Sequence, residues 1–240
     1  MLVRRIIKFF IPEVVQKLLR IFFVLSEGYG QRQSIRQRTC VDGDGYEIPW
    51  YTYPAIEYLK GLDFSNSEIL EFGSGSSSIW WSQRAESVLA VENNREWYEK
   101  IRESNNDKLK VVLAELERDY LAAGKGKNFD VIVIDGVYRQ QCVEVVSEAL
   151  SENGLVILDN SDWHPETARV LREQYNFLQV DFHGFGPINS YTWTTSLFFS
   201  RTFLCVPCKG RLPGYSVAAL IQLAEGQEPA PLKLQSKEDS

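Results

Sequence analysis

Between residues 68 and 200, short apolar runs alternate with longer helix-patterned stretches, and this alternation constrains the fold more than any other feature of the chain. Short buried strands separated by helices are the pattern of a parallel sheet built from strand–helix–strand units. The runs are Glu68–Gly75, Ser87–Asn93, Lys110–Ala114, Phe129–Gly136, Gly154–Asn160, Phe177–Phe182 and Thr194–Ser200. Phe129–Gly136 is the most strand-like of them, because Val131, Ile132, Val133 and Ile134 follow without interruption, as a strand covered on both faces requires. Helices fit Ser76–Ala85, Arg95–Ser104, Arg139–Leu150 and Pro165–Gln174, the last opened by a proline at its first position. Only a glycine-rich loop lies between the last two strands, with no room for a crossover helix, so they should pair as an antiparallel hairpin at one sheet edge. The expectation is an α/β chain with a Rossmann-like seven-stranded sheet and a terminal antiparallel hairpin, spanning residues 46–208.

The flanks read differently. Residues 1–38 carry eight basic side chains against two acids, a balance of +6, so with −6 for the whole chain the other 202 residues carry −12. Apolar pairs recur every four residues, at Ile6-Ile7, Phe10-Ile11, Val14-Val15, Leu18-Leu19 and Phe22-Phe23. On a helix this spacing makes a broad apolar stripe, which Pro12 should kink or restart. Residues 1–45 are therefore read as a basic amphipathic segment preceding the sheet. Charged residues interrupt it too often for a spanning helix of about 18 apolar residues or for a cleavable signal peptide. Two readings stay open: a helix docked on its own domain or on a second subunit, as in a homodimer, and an in-plane membrane contact through residues 1–25. Residues 209–240 form a C-terminal extension whose end, 223–240, reads as a solvated tail. Net charge −6 argues against a nucleic-acid partner. Four unevenly spaced cysteines favour a reducing, cytoplasmic setting, at or away from the membrane surface.

Ligands of open α/β sheets bind beyond the carboxyl ends of the strands, and there the chain concentrates its acids. It places Glu71-Phe72-Gly73-Ser74-Gly75, then Glu92-Asn93, then Asp135-Gly136, then Asp159-Asn160. Like charges so crowded oppose folding unless a ligand or cation neutralises them. Gly73 and Gly75 let the backbone turn tightly and approach a ligand. Glu92, 21 residues after Glu71, can accept hydrogen bonds from ribose hydroxyls. A dinucleotide fingerprint would need a third Gly or Ala where Ser78 stands.

These residues resemble the class I S-adenosylmethionine-dependent methyltransferases over roughly residues 68–200. The resemblance rests on the E-x-G-x-G of Glu71 to Gly75, on Glu92 after the second strand, on Asp135 after the fourth, and on the closing hairpin. It implies that Glu71, Gly73, Gly75, Glu92 and Asn93 hold S-adenosylmethionine, with Glu115 a further candidate after the third strand. Asp135 with Asp159-Asn160 is also similar to the cation-dependent catechol and caffeoyl-CoA type O-methyltransferases. That likeness implies Mg2+ on Asp135, Asp159 and Asn160, an ion with a preference for oxygen donors that lowers the pKa of a bound hydroxyl. The chain departs from that pattern in having Gly136-Val137-Tyr138-Arg139 where those enzymes carry a lysine base.

Asp135 and His164 are the candidate catalytic residues, with His183 the other histidine near the same edge. Trp50, Tyr51, Tyr53, Trp163, Phe185, Tyr191 and Trp193 could line an acceptor pocket. Cys205-Val206-Pro207-Cys208 lacks two further zinc ligands at suitable spacing and reads as free thiols. The function expected is methyl transfer to a hydroxyl of a small molecule, sugar or phenolic. The alternatives are an aminopropyltransferase-like transferase and a non-catalytic, membrane-tethered subunit that keeps the cofactor fold.

Overall fold

A computed structural model describes residues 11–104, 106–210 and 212–226. The seven strands are β1 (Glu68–Phe72), β2 (Ser87–Glu92), β3 (Leu109–Leu113), β4 (Phe129–Ile134), β5 (Leu150–Asp159), β6 (Leu178–Gly184) and β7 (Trp193–Phe199). They form one sheet in the order β3-β2-β1-β4-β5-β7-β6. The first five run parallel, and β7 lies antiparallel between β5 and β6. The hairpin therefore sits at the sheet edge as the missing helix required, with the later strand threaded inside the earlier one.

Both faces of the sheet are covered, which explains the unbroken apolar runs. Ile69, Val131, Val133 and Ile157 point into one core together with Trp80, Trp81 and Tyr51. Leu70, Ile132, Ile134 and Val156 point into the other, against Val143, Val146 and Leu171. The helices of the body are α3 (Tyr53–Lys60), α4 (Ser76–Ser82), α5 (Arg95–Arg102), α6 (Glu117–Ala122), α7 (Arg139–Ala149) and α8 (Pro165–Arg169), the last continuing as a wider turn over Val170–Gln174. Helix α6 escapes a sequence reading because Leu116 at its N-cap offers no side-chain cap. Tertiary burial of Tyr120 holds it instead. Strand β5 starts four residues before the expected Gly154, where Ser151 Oγ donates to Phe129 O at 2.7 Å.

Helix α1 (Glu13–Phe23) starts directly after Pro12, the restart expected there, and leads through one wide turn (Val24–Gly28) to α2 (Gln31–Gln37). Residues 1–10 of the expected amphipathic segment lie outside the described residues. Residues 31–48, on both sides of the boundary expected at residue 45, pack on the body. Ser34, Cys40, Val41 and Ile48 are buried, and Gln31 Nε2 donates to the carbonyls of Gly186 and Asn189 at 3.1 Å each. Helix α9 (Val217–Ala224) likewise replaces the start of the expected tail at 223. Its Val217 N–H donates to Glu57 Oε1 on α3 at 2.7 Å. Residues 227–240, the rest of that tail, lie outside the described residues.

Candidate active site

The strand order reverses between β1 and β4, whose carboxyl ends open a crevice, and a cavity of about 500 Å3 lies there. Its volume suits a cofactor-sized ligand. Glu71, Gly73, Gly75, Glu92, Asp135, Asp159 and Asn160 all line it. Four strands bring these residues to one edge, as the sequence required.

The turn after β1 is shaped by its two glycines in different ways. Gly73 has φ +111°, and a Cβ there would come within 3.1–3.2 Å of the Gly136 backbone. Gly73 lines the cavity, and it is also needed for the β1 loop to cross the β4 loop. Gly75 is the position that gives access. Its backbone is extended, and an added Cβ would project into the cavity with nothing nearer than Ser77 Oγ and Trp97 Nε1 at 3.9 Å.

Glu92 is 5% exposed and aimed by its neighbours. Its Oε2 accepts from Ser74 N–H and Oγ–H at 2.9 Å each, and its Oε1 accepts from Asn94 N–H at 2.8 Å. One lone pair on Oε1 is left for a ligand hydroxyl. Asn93, expected beside it, does not line the cavity. Glu115 is also displaced, exposed and paired with Arg95 at 2.9 Å. The wall next to Glu92 is instead Trp97, Lys100 and Ile101 of α5. Trp97 and Ile101 are four apart on one helix face, a spacing visible in the sequence.

Two buried acids, Glu71 and Asp159, and the half-buried Asp135 form the floor. Burial pushes the Glu71 carboxyl up to about 8, against hydrogen bonds from Ser77 and Ser78 that lower it. Ser78 Oγ donates to Glu71 Oε2 at 2.5 Å. Asp135 is raised by burial to about 6, with the Arg139 charge working to lower it. Asp159 is held well above the usual carboxylate range by burial and then by the Asp135 charge. Its Oδ1 accepts from Trp193 Nε1 at 3.0 Å and Thr195 Oγ1 at 2.5 Å.

Arg139 supplies the cation of this floor. Its Nη2 meets Asp135 Oδ1 at 3.1 Å and Asp135 O at 2.8 Å, Nε donates to Gly136 O at 3.0 Å, and Nη1 donates to Asp159 O. The Mg2+ expected on Asp135, Asp159 and Asn160 does not fit these residues. A guanidinium already offsets Asp135 and ties the ends of β4 and β5 together, while Asp159 Oδ1 is engaged by two donors. Among the described residues, no group of three or more His, Cys, Asp or Glu side chains is placed to hold a metal ion. Asn160 and Tyr138 both adopt the left-handed region, at φ 51° and 55°. Each costs about 1–2 kcal/mol, and Arg139 links the two strand ends on which they sit.

His164 does not line the cavity. It precedes α8, half-buried, and burial followed by the Arg139 charge lowers its pKa. His183 is bonded within the β6–β7 pair, its Nδ1 2.6 Å from Thr194 Oγ1. Of the aromatic side chains expected at the acceptor side, Trp50, Trp163, Tyr191 and Trp193 line the cavity. Trp163 stacks on Tyr191 with centroids 6.3 Å apart and planes at 24°. Tyr51 and Tyr53 are core residues, and Phe185 lies outside. The segment Arg38–Cys40 with Glu47 forms a further wall that no local motif announces. Cys205 and Cys208 are free and exposed.

No family model matches the chain, and no curated protein matches it. Solved structures are similar to it at low identity. A methyltransferase from Geobacter sulfurreducens is 16% identical, with 82% of this chain and 94% of that one covered, at a TM-score of 0.47. The fibrillarin pre-rRNA processing protein of Methanococcus jannaschii is 16% identical over 63% of this chain and 76% of that one, at 0.48. Spermidine synthase from Thermotoga maritima is 17% identical over 70% and 71%, at 0.46. By its own strand order, with an antiparallel β7 between β5 and β6, the chain has the class I methyltransferase fold.

Proposed function

We propose that the protein is an S-adenosylmethionine-dependent methyltransferase acting on a hydroxyl of a small sugar-like or phenolic molecule. The observation that carries this reading is the β1 turn, where Gly75 leaves an open cradle beside a Glu92 carboxylate held by Ser74 and Asn94. Bound there, S-adenosylmethionine supplies an electrophilic methyl group on a sulfonium centre. Glu92 accepts hydrogen bonds from the ribose on its free lone pair, and Trp97 offers a flat apolar wall next to it. Asp135 gives a cationic ligand a negative charge on the floor, and the buried Glu71 adds a second when the ligand drives off its proton.

On the opposite side Trp163, Tyr191 and Trp193 offer stacking faces for a ring. Asp135, with a pKa raised to about 6, is ionised at neutral pH and accepts the proton of the acceptor hydroxyl. Arg139 fixes that carboxylate through its Oδ1. His164, outside the cavity, has no part in this reading.

The test uses methyl-labelled cofactor and a cell extract separated into small-molecule, protein and nucleic-acid fractions. Wild type should put label into small, alkali-stable products, with turnover rising as pH passes about 6 and Asp135 ionises. Asp135→Asn should lose at least 100-fold in turnover. Label found only in protein or nucleic acid, or full turnover by Asp135→Asn, would contradict the proposal.

A further inference from the structure

The two faces of helix α1 are disposed the reverse of a helix docked on its own domain. At 100° per residue, Val14, Val15, Leu18, Leu19, Ile21 and Phe22 share one broad arc, and Glu13, Gln16, Lys17 and Arg20 fill the other. The apolar residues are exposed, from 41% at Val15 to 67% at Val14, as are Glu13 and Lys17 on the polar arc, and the helix buries no residue at all. Contact with the body is made from the polar side, where Arg20 Nη1 lies 3.3 Å from Glu225 Oε2 just past α9. Arg20 thus ties the polar arc to the body, and the apolar arc faces outward.

Charge selects what covers that arc. Residues 1–38 carry +6 against −12 for the rest, and Arg4, Arg5 and Lys8 precede α1 with no acid among them. A second copy meeting the same face would bring two such basic segments together. An anionic lipid surface attracts this end and repels the remainder, which orients the molecule. With 11 residues α1 is about 16 Å long, half the apolar thickness of a bilayer. Among the described residues no helix is long and apolar enough to cross one. We propose that α1 lies in the plane of an anionic membrane surface, with Val14, Leu18 and Phe22 in the acyl boundary and Lys17 and Arg20 on the wet side.

The experiment is co-sedimentation of the full-length protein with vesicles of phosphatidylcholine mixed with phosphatidylglycerol, and with phosphatidylcholine alone. The protein should pellet with the mixed vesicles at low salt, and bind about tenfold more weakly to neutral vesicles or at high salt. Leu18→Glu combined with Phe22→Glu should bind about tenfold more weakly while melting like wild type, since the two side chains are 59% and 66% exposed. Failure of wild type to pellet, or equal pelleting by the double variant, would overturn the proposal. A lipid-free dimer dissolved by the double variant, without vesicle binding, would also overturn it and give the face to a second copy.

Discussion

Glu71 shows how far one buried carboxyl can couple this site to its ligand. Its pKa of about 8 means that it carries a proton at pH 7. A cationic ligand beside it favours the ionised form, so binding should release a proton and tighten as pH rises from 6 towards 8. Calorimetry at pH 7 in buffers of different ionisation enthalpy should detect that release for wild type and lose it in Glu71→Gln; equal enthalpies in all buffers would refute it. The sign for stability is the opposite. A carboxyl raised in the folded state adds stability below its ordinary pKa of about 4.5, and that stability is lost as pH climbs through 8. The acids were legible in the sequence because each ends an apolar run. Arg139 was legible only as a departure from a lysine pattern, since what it binds is mostly backbone carbonyls on β4 and β5.

At the level of elements, the crossing of the β1 and β4 loops is the tightest joint of the sheet. A Cβ on Gly136 would run into Tyr120 Oη and come within 2.9 Å of Gly73 N. Gly136→Ala should therefore cost about 1–3 kcal/mol through overpacking, lowering Tm by about 2–4 °C per kcal/mol. An unchanged melting curve would show that the loops can part without strain. The strands of this joint were readable from periodicity because both faces are buried. Helix α3 carried a readable signal in Pro54 at its start, whereas α2 begins at a left-handed Gly30 with no side-chain cap. The orientation of α1 was open in the sequence, because amphipathicity defines two faces without saying which one turns inward. The exposure of Val14, Leu18 and Phe22 shows that the apolar face is not the one turned inward.

At the scale of the whole molecule, the ends of β1, β2, β4, β5 and β7 and the Arg38–Cys40 segment meet at one cavity, which we propose as a cofactor site whose internal cation is Arg139. Excess chelator should leave turnover unchanged, while Arg139→Met should abolish it; loss of turnover on chelation, restored by added Mg2+, would return the ion to Asp135 and Asp159. The acidic floor was legible in the sequence, but the Arg38–Cys40 wall was not, because it reaches the cavity by long-range packing rather than by a local motif. The most direct measurement of the central claim is calorimetric titration of S-adenosylmethionine into wild type and Gly75→Val. Position 75 has an extended backbone that accepts valine, and the nearest atoms to its Cβ are 3.9 Å away. The variant should therefore melt like wild type and yet lose binding by at least about 100-fold, as expected when a cradle is filled. No binding by wild type, or equal binding by a normally folded Gly75→Val, would contradict the account.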